Sequence, residues 1–168
     1  MRLNNLFPAK LPKHAFFCVQ RSKDFDGSFD SNPFTFVPFG KFQLYIDGKP
    51  YFNDALEIDH TTENSAKMYH ENMVFLKQLY KTIGKDVKGC GLINSKNFQQ
   101  NFIVGVSFTT DRSSSMVPYL SPQAIASTQL ELDFGYDINV ADDLLLIIYG
   151  LFDRVIKING DRELEIIE

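Results

Sequence analysis

A chain of 168 residues fits one domain, or one domain with a small insertion, and a compact fold of that length buries roughly 70% of the surface its unfolded chain would expose. The formal charge of −4, with Lys and Arg scattered rather than massed, leaves no electrostatic footprint for nucleic acid. The longest strongly apolar stretch, Leu144 to Leu151, is less than half of the roughly 20 residues a membrane-spanning helix needs.

Residues Met1 to His14 hold Pro8 and Pro12 and little periodicity. They read as an N-terminal arm that lies on a surface or leads to something upstream, with no evident place in a sheet. Residues 15–168 read as a single domain. Ala15 to Gln20 is an apolar run of strand length, and Arg21 to Asp30 is a polar turn region. Phe34 and Phe36 alternate with Thr35, while Pro33 and Pro38 confine that segment to an edge or a bulge. Phe42, Leu44 and Ile46 alternate with Gln43 and Tyr45; Asp47-Gly48 then supplies a tight hairpin turn, with Tyr51 and Phe52 on the return.

The stretch from Thr61 to Ile83 differs in kind. Ala66, Tyr69, Met73, Leu76, Leu79, Tyr80 and Ile83 recur at three- and four-residue steps, which predicts an amphipathic helix over about 62–83, inserted between strands. Thr61 or Thr62 can cap its start and Gly84 can end it. A polar turn from Lys85 to Gly91 follows, and Asn94 to Gln99 can add a helical turn. Phe102 to Phe108 is strand-like, and Thr109 to Thr128 is a long loop with three consecutive serines. A connector of that length is expected at an end of the sheets or at an interface. Leu130, Leu132 and Phe134 share one face of the next strand. Asp143 to Ile158 forms either one long strand kinked at Gly150 or two strands. Asn159-Gly160 makes a last turn, and Leu164 to Ile167 returns as a terminal strand. Short strands with turns at short intervals, 16 Phe, 7 Tyr and no Trp describe an antiparallel sandwich, since flat side chains pack well across the pleat.

No motif for chemistry completes itself. His70-Glu71 opens like a zinc-protease helix, but the second ligand position holds Val74. His14, His60 and His70 lie far apart. Gly89-Cys90-Gly91 follows a helix rather than a strand, and Asn94 stands where a dinucleotide loop needs its third glycine. Cys18 and Cys90 read as buried free thiols, and Cys90 has no visible base. Asp24, Asp26, Gly27, Ser28 and Asp30 depart from the order of a calcium loop; an Asp/Gly/Ser turn is the first reading and a weak surface cation site the second. Ser107, Ser113 to Ser115 and the pair Asp142-Asp143 fit no hydrolytic pattern. The expectation is therefore a protein that is not an enzyme, with no catalytic, cofactor-binding or metal-ligating residues and no cofactor. The first residues lack the apolar core of a signal peptide and no N-x-S/T acceptor site occurs, so an intracellular setting is the default.

One set of residues goes further. Phe25, Gly27 and Ser28, then Asn32, Pro33, Phe34 and Phe36, then Tyr45, Asp47 and Gly48 form a phenylalanine-x-Gly-Ser turn, an Asn-Pro-Phe-x-Phe stretch and a Tyr-x-Asp-Gly hairpin. In order and spacing they resemble the major capsid proteins of Maverick/Polinton elements and adintoviruses. Phe108 to Asp111, Leu130 to Phe134, and the apolar run with Tyr149, Phe152, Ile156 and Ile158 resemble later strands of the same family, so the likeness extends over residues 12–168. The resemblance implies the second jelly roll of a double jelly-roll protein that builds pseudo-hexagonal trimers in an icosahedral shell. The expected fold is thus an all-β antiparallel jelly-roll sandwich with one inserted amphipathic helix. The expected function is that of a capsid-type structural module working through protein–protein contacts, either viral or a copy kept by a host. Its partner would be itself, as a trimer, or a second jelly-roll domain, in the cytoplasm, the nucleus or a virion, with neither a nucleic-acid nor a membrane site. The alternative is a β-sandwich binding module for a carbohydrate or a protein receptor.

Overall fold

The computed structural model describes residues 1–8, 10–26, 36–37, 40–57, 103–109, 125–134 and 143–152, together with the backbone of 155–158 and 164–167. The described chain is mostly β, and every strand pairing in it is antiparallel.

Among the described residues ten strands and one helical turn follow in order: β1 (Arg2–Asn4), β2 (His14–Arg21), α1 (Ser22–Phe25), β3 (Lys41–Ile46), β4 (Lys49–Pro50), β5 (Leu56–Glu57), β6 (Val104–Ser107), β7 (Thr128–Asp133), β8 (Leu144–Leu151), β9 (Val155–Ile158) and β10 (Leu164–Ile167). One sheet runs β1-β7-β3, with β4 and β5 sharing the far edge of β3; a second runs β6-β2-β8; β9 and β10 form a separate ribbon. Along β2, β3 and β7 the apolar residues occupy alternate positions, and the period of two in a strand sends them all to one face. Ala15, Phe17 and Val19 on β2 meet Phe42 and Leu44 on β3 and Leu130 and Leu132 on β7 in one buried cluster. The Phe17 and Phe42 rings stand edge to face with centroids 5.3 Å apart. Each such fully buried side chain contributes about 1.5–3 kcal/mol relative to leaving it in water.

The long strands are joined in a nested order. β2 pairs with β8 along its whole length, from His14 opposite Leu151 to Arg21 opposite Leu144. β3, the next strand on, pairs with β7, from Lys41 opposite Asp133 to Ile46 opposite Thr128. The ends that face each other across the change of sheet are thus the end of β2 with the start of β8, and the start of β3 with the end of β7.

The β3–β4 hairpin is the one the sequence predicts. Asp47 and Gly48 both take positive φ, 49° and 74°, which is the twist a two-residue turn needs to match right-handed strands. Beyond it the edge is irregular: Ile46 faces Lys49 and the Tyr51 N–H still donates to the Leu44 carbonyl, but Phe42 faces Leu56, so Phe52 to Ala55 bulges out of register. Gln43 is buried beneath this bulge, and its Nε2 donates to the carbonyl of Phe52 at 3.2 Å, a side chain standing in for a lost ladder bond.

Two expectations change, and one open alternative is decided. The N-terminal arm has a place in a sheet: β1 pairs with β7 through Leu3 opposite Leu130, while Leu6 and Phe7 pack against the core. The first residue of β2 is His14 itself, so the arm ends inside a strand. Three residues are too few to display a period, and the edge of β7 supplies the partner. The polar turn after Arg21 begins as α1, one helical turn with Asp24 buried in it. Of the two alternatives for Asp143 to Ile158, the structure forms two strands, with Gly150 inside β8 rather than at the break. A Cβ on Gly150 would stand 3.0 Å from the Phe152 ring and 3.3 Å from Pro12, so the glycine lets both approach. The helix over 62–83, the turn at Lys85 to Gly91, the Asn94 to Gln99 turn, most of the Thr109 to Thr128 loop and the Asn159-Gly160 turn lie outside the described residues.

Candidate interaction surface

The residues that carry the capsid resemblance are brought together only in part. Gly27, Ser28, Asn32, Pro33 and Phe34 lie outside the described residues. Phe25 closes α1 with 59% of its surface exposed, at the end of β2 where Arg21 meets Leu144. Tyr45, Asp47 and Gly48 sit at the opposite end of the other sheet, on β3 and its turn. Phe36 is half-buried against the core, and its neighbour Val37 donates its N–H to the carbonyl of Val19 at 2.7 Å, lying along β2.

Tyr45 belongs to a polar group on the outer face of the β1-β7-β3 sheet. Glu131 on β7 accepts from the Arg2 guanidinium on one side and from the Tyr45 hydroxyl, at 3.2 Å, on the other. The three residues tie three adjacent strands together. The hydrogen bond from Arg2 holds the Glu131 carboxyl below its ordinary value, assisted by Tyr45 and by the charge of Lys41. Desolvation, then the hydrogen bond to Glu131 and its charge, push the Tyr45 hydroxyl up.

The hairpin tip is fixed from the side. The Asp47 carboxylate accepts the N–H of Ser127 at 2.8 Å, and the Asp47 N–H donates to the Ser127 carbonyl at 2.9 Å. This explains why an aspartate fits a left-handed position here: Asp tolerates that region better than most residues, and its side chain is held by a neighbouring segment. An open cavity of about 320 Å³ lies beside the tip, between Ile46, Pro50, Tyr51 and Phe108. The polar groups of its wall bond one another, Tyr51 Oη to the Ser107 carbonyl at 2.6 Å and Ser107 Oγ with Thr109 Oγ1 at 2.9 Å. That leaves mostly apolar walls with Lys49 and Asp47 at the rim, rather than the converging free polar groups that orient a small ligand.

The second sheet presents a different surface. β8 reads LLLIIYGL, without charge or proline. Tyr149 is 62% exposed and lies against Phe16 of β2, ring centroids 6.4 Å apart, and Phe152 just beyond the strand is 49% exposed. Cys18, on the same outer face, is half-buried and free, and burial pushes its thiol up, away from the thiolate that reacts.

Of the residues singled out for chemistry, His14 is buried at the start of β2, while His60, His70, Glu71 and Cys90 lie outside the described residues. Asp24 is buried and Asp26 caps the end of α1; Asp30 is outside the described set. Ser107 is buried in its wall contacts, and Ser113 to Ser115 and Asp142 are outside it. Among the described residues no group of three or more His, Cys, Asp or Glu is placed to hold a metal ion, and no helix is long and apolar enough to cross a membrane. Sequence reasoning missed the Arg2–Glu131–Tyr45 group, because nothing local links residues so far apart in the chain.

No protein-family model matches the chain, and no solved structure does. Over 170 residues it is 24% identical to an uncharacterized protein of Caenorhabditis elegans, F54H12.2. The match covers 95% of this chain and 37% of that protein, so the chain spans little more than a third of its relative's length.

Proposed function

We propose that this chain is a capsid-type jelly-roll module that acts through contacts between copies of itself, as a trimer, or with a second jelly roll. The observation that carries the reading is the nested pairing of β2 with β8 and β3 with β7 across two sheets. A jelly roll is a two-stranded antiparallel ribbon wrapped from one sheet into another, with early strands paired to late ones in this order. The Asn32-Pro33-Phe34 and Asp47-Gly48 motifs that resemble Maverick/Polinton capsid proteins fall on either side of the start of β3.

The function is structural in this reading. The chain offers apolar flanks and edges to neighbours and performs no reaction. Sedimentation of the full chain from micromolar to millimolar concentration tests it: reversible growth of the mass to a trimer or a larger closed species is expected. A single monomeric species throughout would sink the homotypic reading. A second reading, a binding module for carbohydrate, draws on the exposed Tyr149 packed against Phe16, since a flat aromatic surface can stack on a sugar. Retention on a glycan array that Tyr149→Ala abolishes would favour it.

A further inference from the structure

An edge strand shows a row of unbonded N–H and C=O groups, and proteins usually blunt such a row with lysine, proline, a bulge or brevity. β8 carries none of these along its full length. In an antiparallel pair, alternate residues bond the neighbour and the residues between them point away. Ser22, next after β2, donates to the Asp143 carbonyl at 2.8 Å, which puts Leu145, Ile147, Tyr149 and Leu151 in the bonded set with β2. Leu144, Leu146, Ile148 and Gly150 therefore turn their backbone groups away from β2, and these make no hydrogen bond among the described residues. β6, at the other edge of the same sheet, differs: Gly105 and Ser107 have further partners there.

We infer that the free edge of β8 is a strand-pairing interface for the β8 of a second copy, related by a two-fold axis at Ile147. The occupant follows from the register. With Ile147 opposite itself, the second copy's Gly150 faces Leu144 and the second copy's Ile148 faces Leu146. Every outward backbone group of the four residues then meets a complementary group of the same set. An axis midway between two residues would bring outward groups of one copy against inward groups of the other and satisfy none, while an axis on Leu146 or Ile148 would leave Gly150 or Leu144 without a partner in the strand, so Ile147 is the centre that pairs all four. The side chains agree with this register: Tyr149, exposed in one copy, lies across from the second copy's Leu145, an aromatic–aliphatic pair of the kind that stabilises neighbouring strands. No charge stands on the strand to oppose a copy of itself. The inference rests on the homotypic reading above and names a pairwise contact, distinct from any three-fold one.

The test uses the full chain and three variants. Ile147→Glu places two carboxylates, and Ile147→Lys two ammonium groups, face to face across the axis; Tyr149→Lys protects the edge from an exposed position. Each is expected to weaken pairing by about tenfold or more in sedimentation equilibrium, with an unchanged β circular dichroism spectrum. An equimolar mixture of Ile147→Glu and Ile147→Lys is expected to recover pairing as a mixed dimer, since unlike charges then meet. Wild-type self-association that the three variants leave unchanged, or a folded mixture that fails to recover, overturns the β8 edge and leaves the homotypic reading standing. Amides of Leu146 and Ile148 that exchange slowly in a wild type monomeric at every concentration overturn both.

Discussion

Gly48 and Glu131 illustrate two ways a single residue acts here. Gly48 holds φ at +74° and nothing lies within 4 Å of where a Cβ would stand, so the constraint is backbone conformation and not space. Gly48→Val is expected to cost about 1–3 kcal/mol, because a β-branched residue resists the left-handed region. Urea denaturation checks it, and a variant as stable as the parent would mean the turn adopts another conformation. Glu131 works through charge. Its carboxyl is held below its ordinary value by Arg2 in the folded state, so its contribution is present above the unfolded value of about 4.3 and is lost as the pH falls through the folded value. Glu131→Gln should therefore melt below the parent at pH 7, by a margin that narrows as the pH falls below about 4.3. A margin that does not change with pH would assign the effect to the hydrogen bonds rather than to the charge.

At the scale of an element, β3 is the strand on which the first sheet depends. It bonds β7 on one side and both β4 and β5 on the other, and its inner face carries Phe42 and Leu44, both fully buried. Phe42 meets Phe17 of the opposite sheet and Phe52 of the bulge, so truncation empties a space that three elements enclose. Phe42→Ala is expected to lose about 3–5 kcal/mol, a large share of the roughly 5–15 kcal/mol that holds a domain together. Lys49→Ala, exposed on the neighbouring strand, should change stability by no more than about 0.5 kcal/mol. Thermal melts of the two variants side by side decide this; similar losses would mean that β3 is not the seam between sheets.

For the whole molecule, the stability of the core and the assembly proposed here draw on different surfaces. The inner faces of β2, β3 and β7 close the core, whereas the edge of β8 and the exposed rings of Tyr149 and Phe152 face outward. Changes at the β8 edge should thus alter association and leave melting in dilute solution nearly unmoved, while changes at Phe42 should do the reverse.

The strands long enough to show their period were legible from alternation alone. Phe42, Leu44, Leu130 and Leu132 are buried where alternation puts them, Asp47-Gly48 turns where two residues of that kind must, and the apolar run from Leu144 is extended. Of the capsid-like motif residues, Phe25, Tyr45, Asp47 and Gly48 were legible in sequence and can be placed, on α1 and the β3 hairpin. Which strand stands beside which was set by packing in three dimensions. Alternation selects the face a residue turns to, but a strand's neighbour is chosen by hydrogen bonding between segments far apart in the chain. So His14 lies opposite Leu151, Arg2 reaches Glu131, and three N-terminal residues without a period of their own become a strand because β7 offers them an edge. Gln43 is buried for the same reason: its polarity predicts a wet outer face, and a bulge formed by later residues covers it.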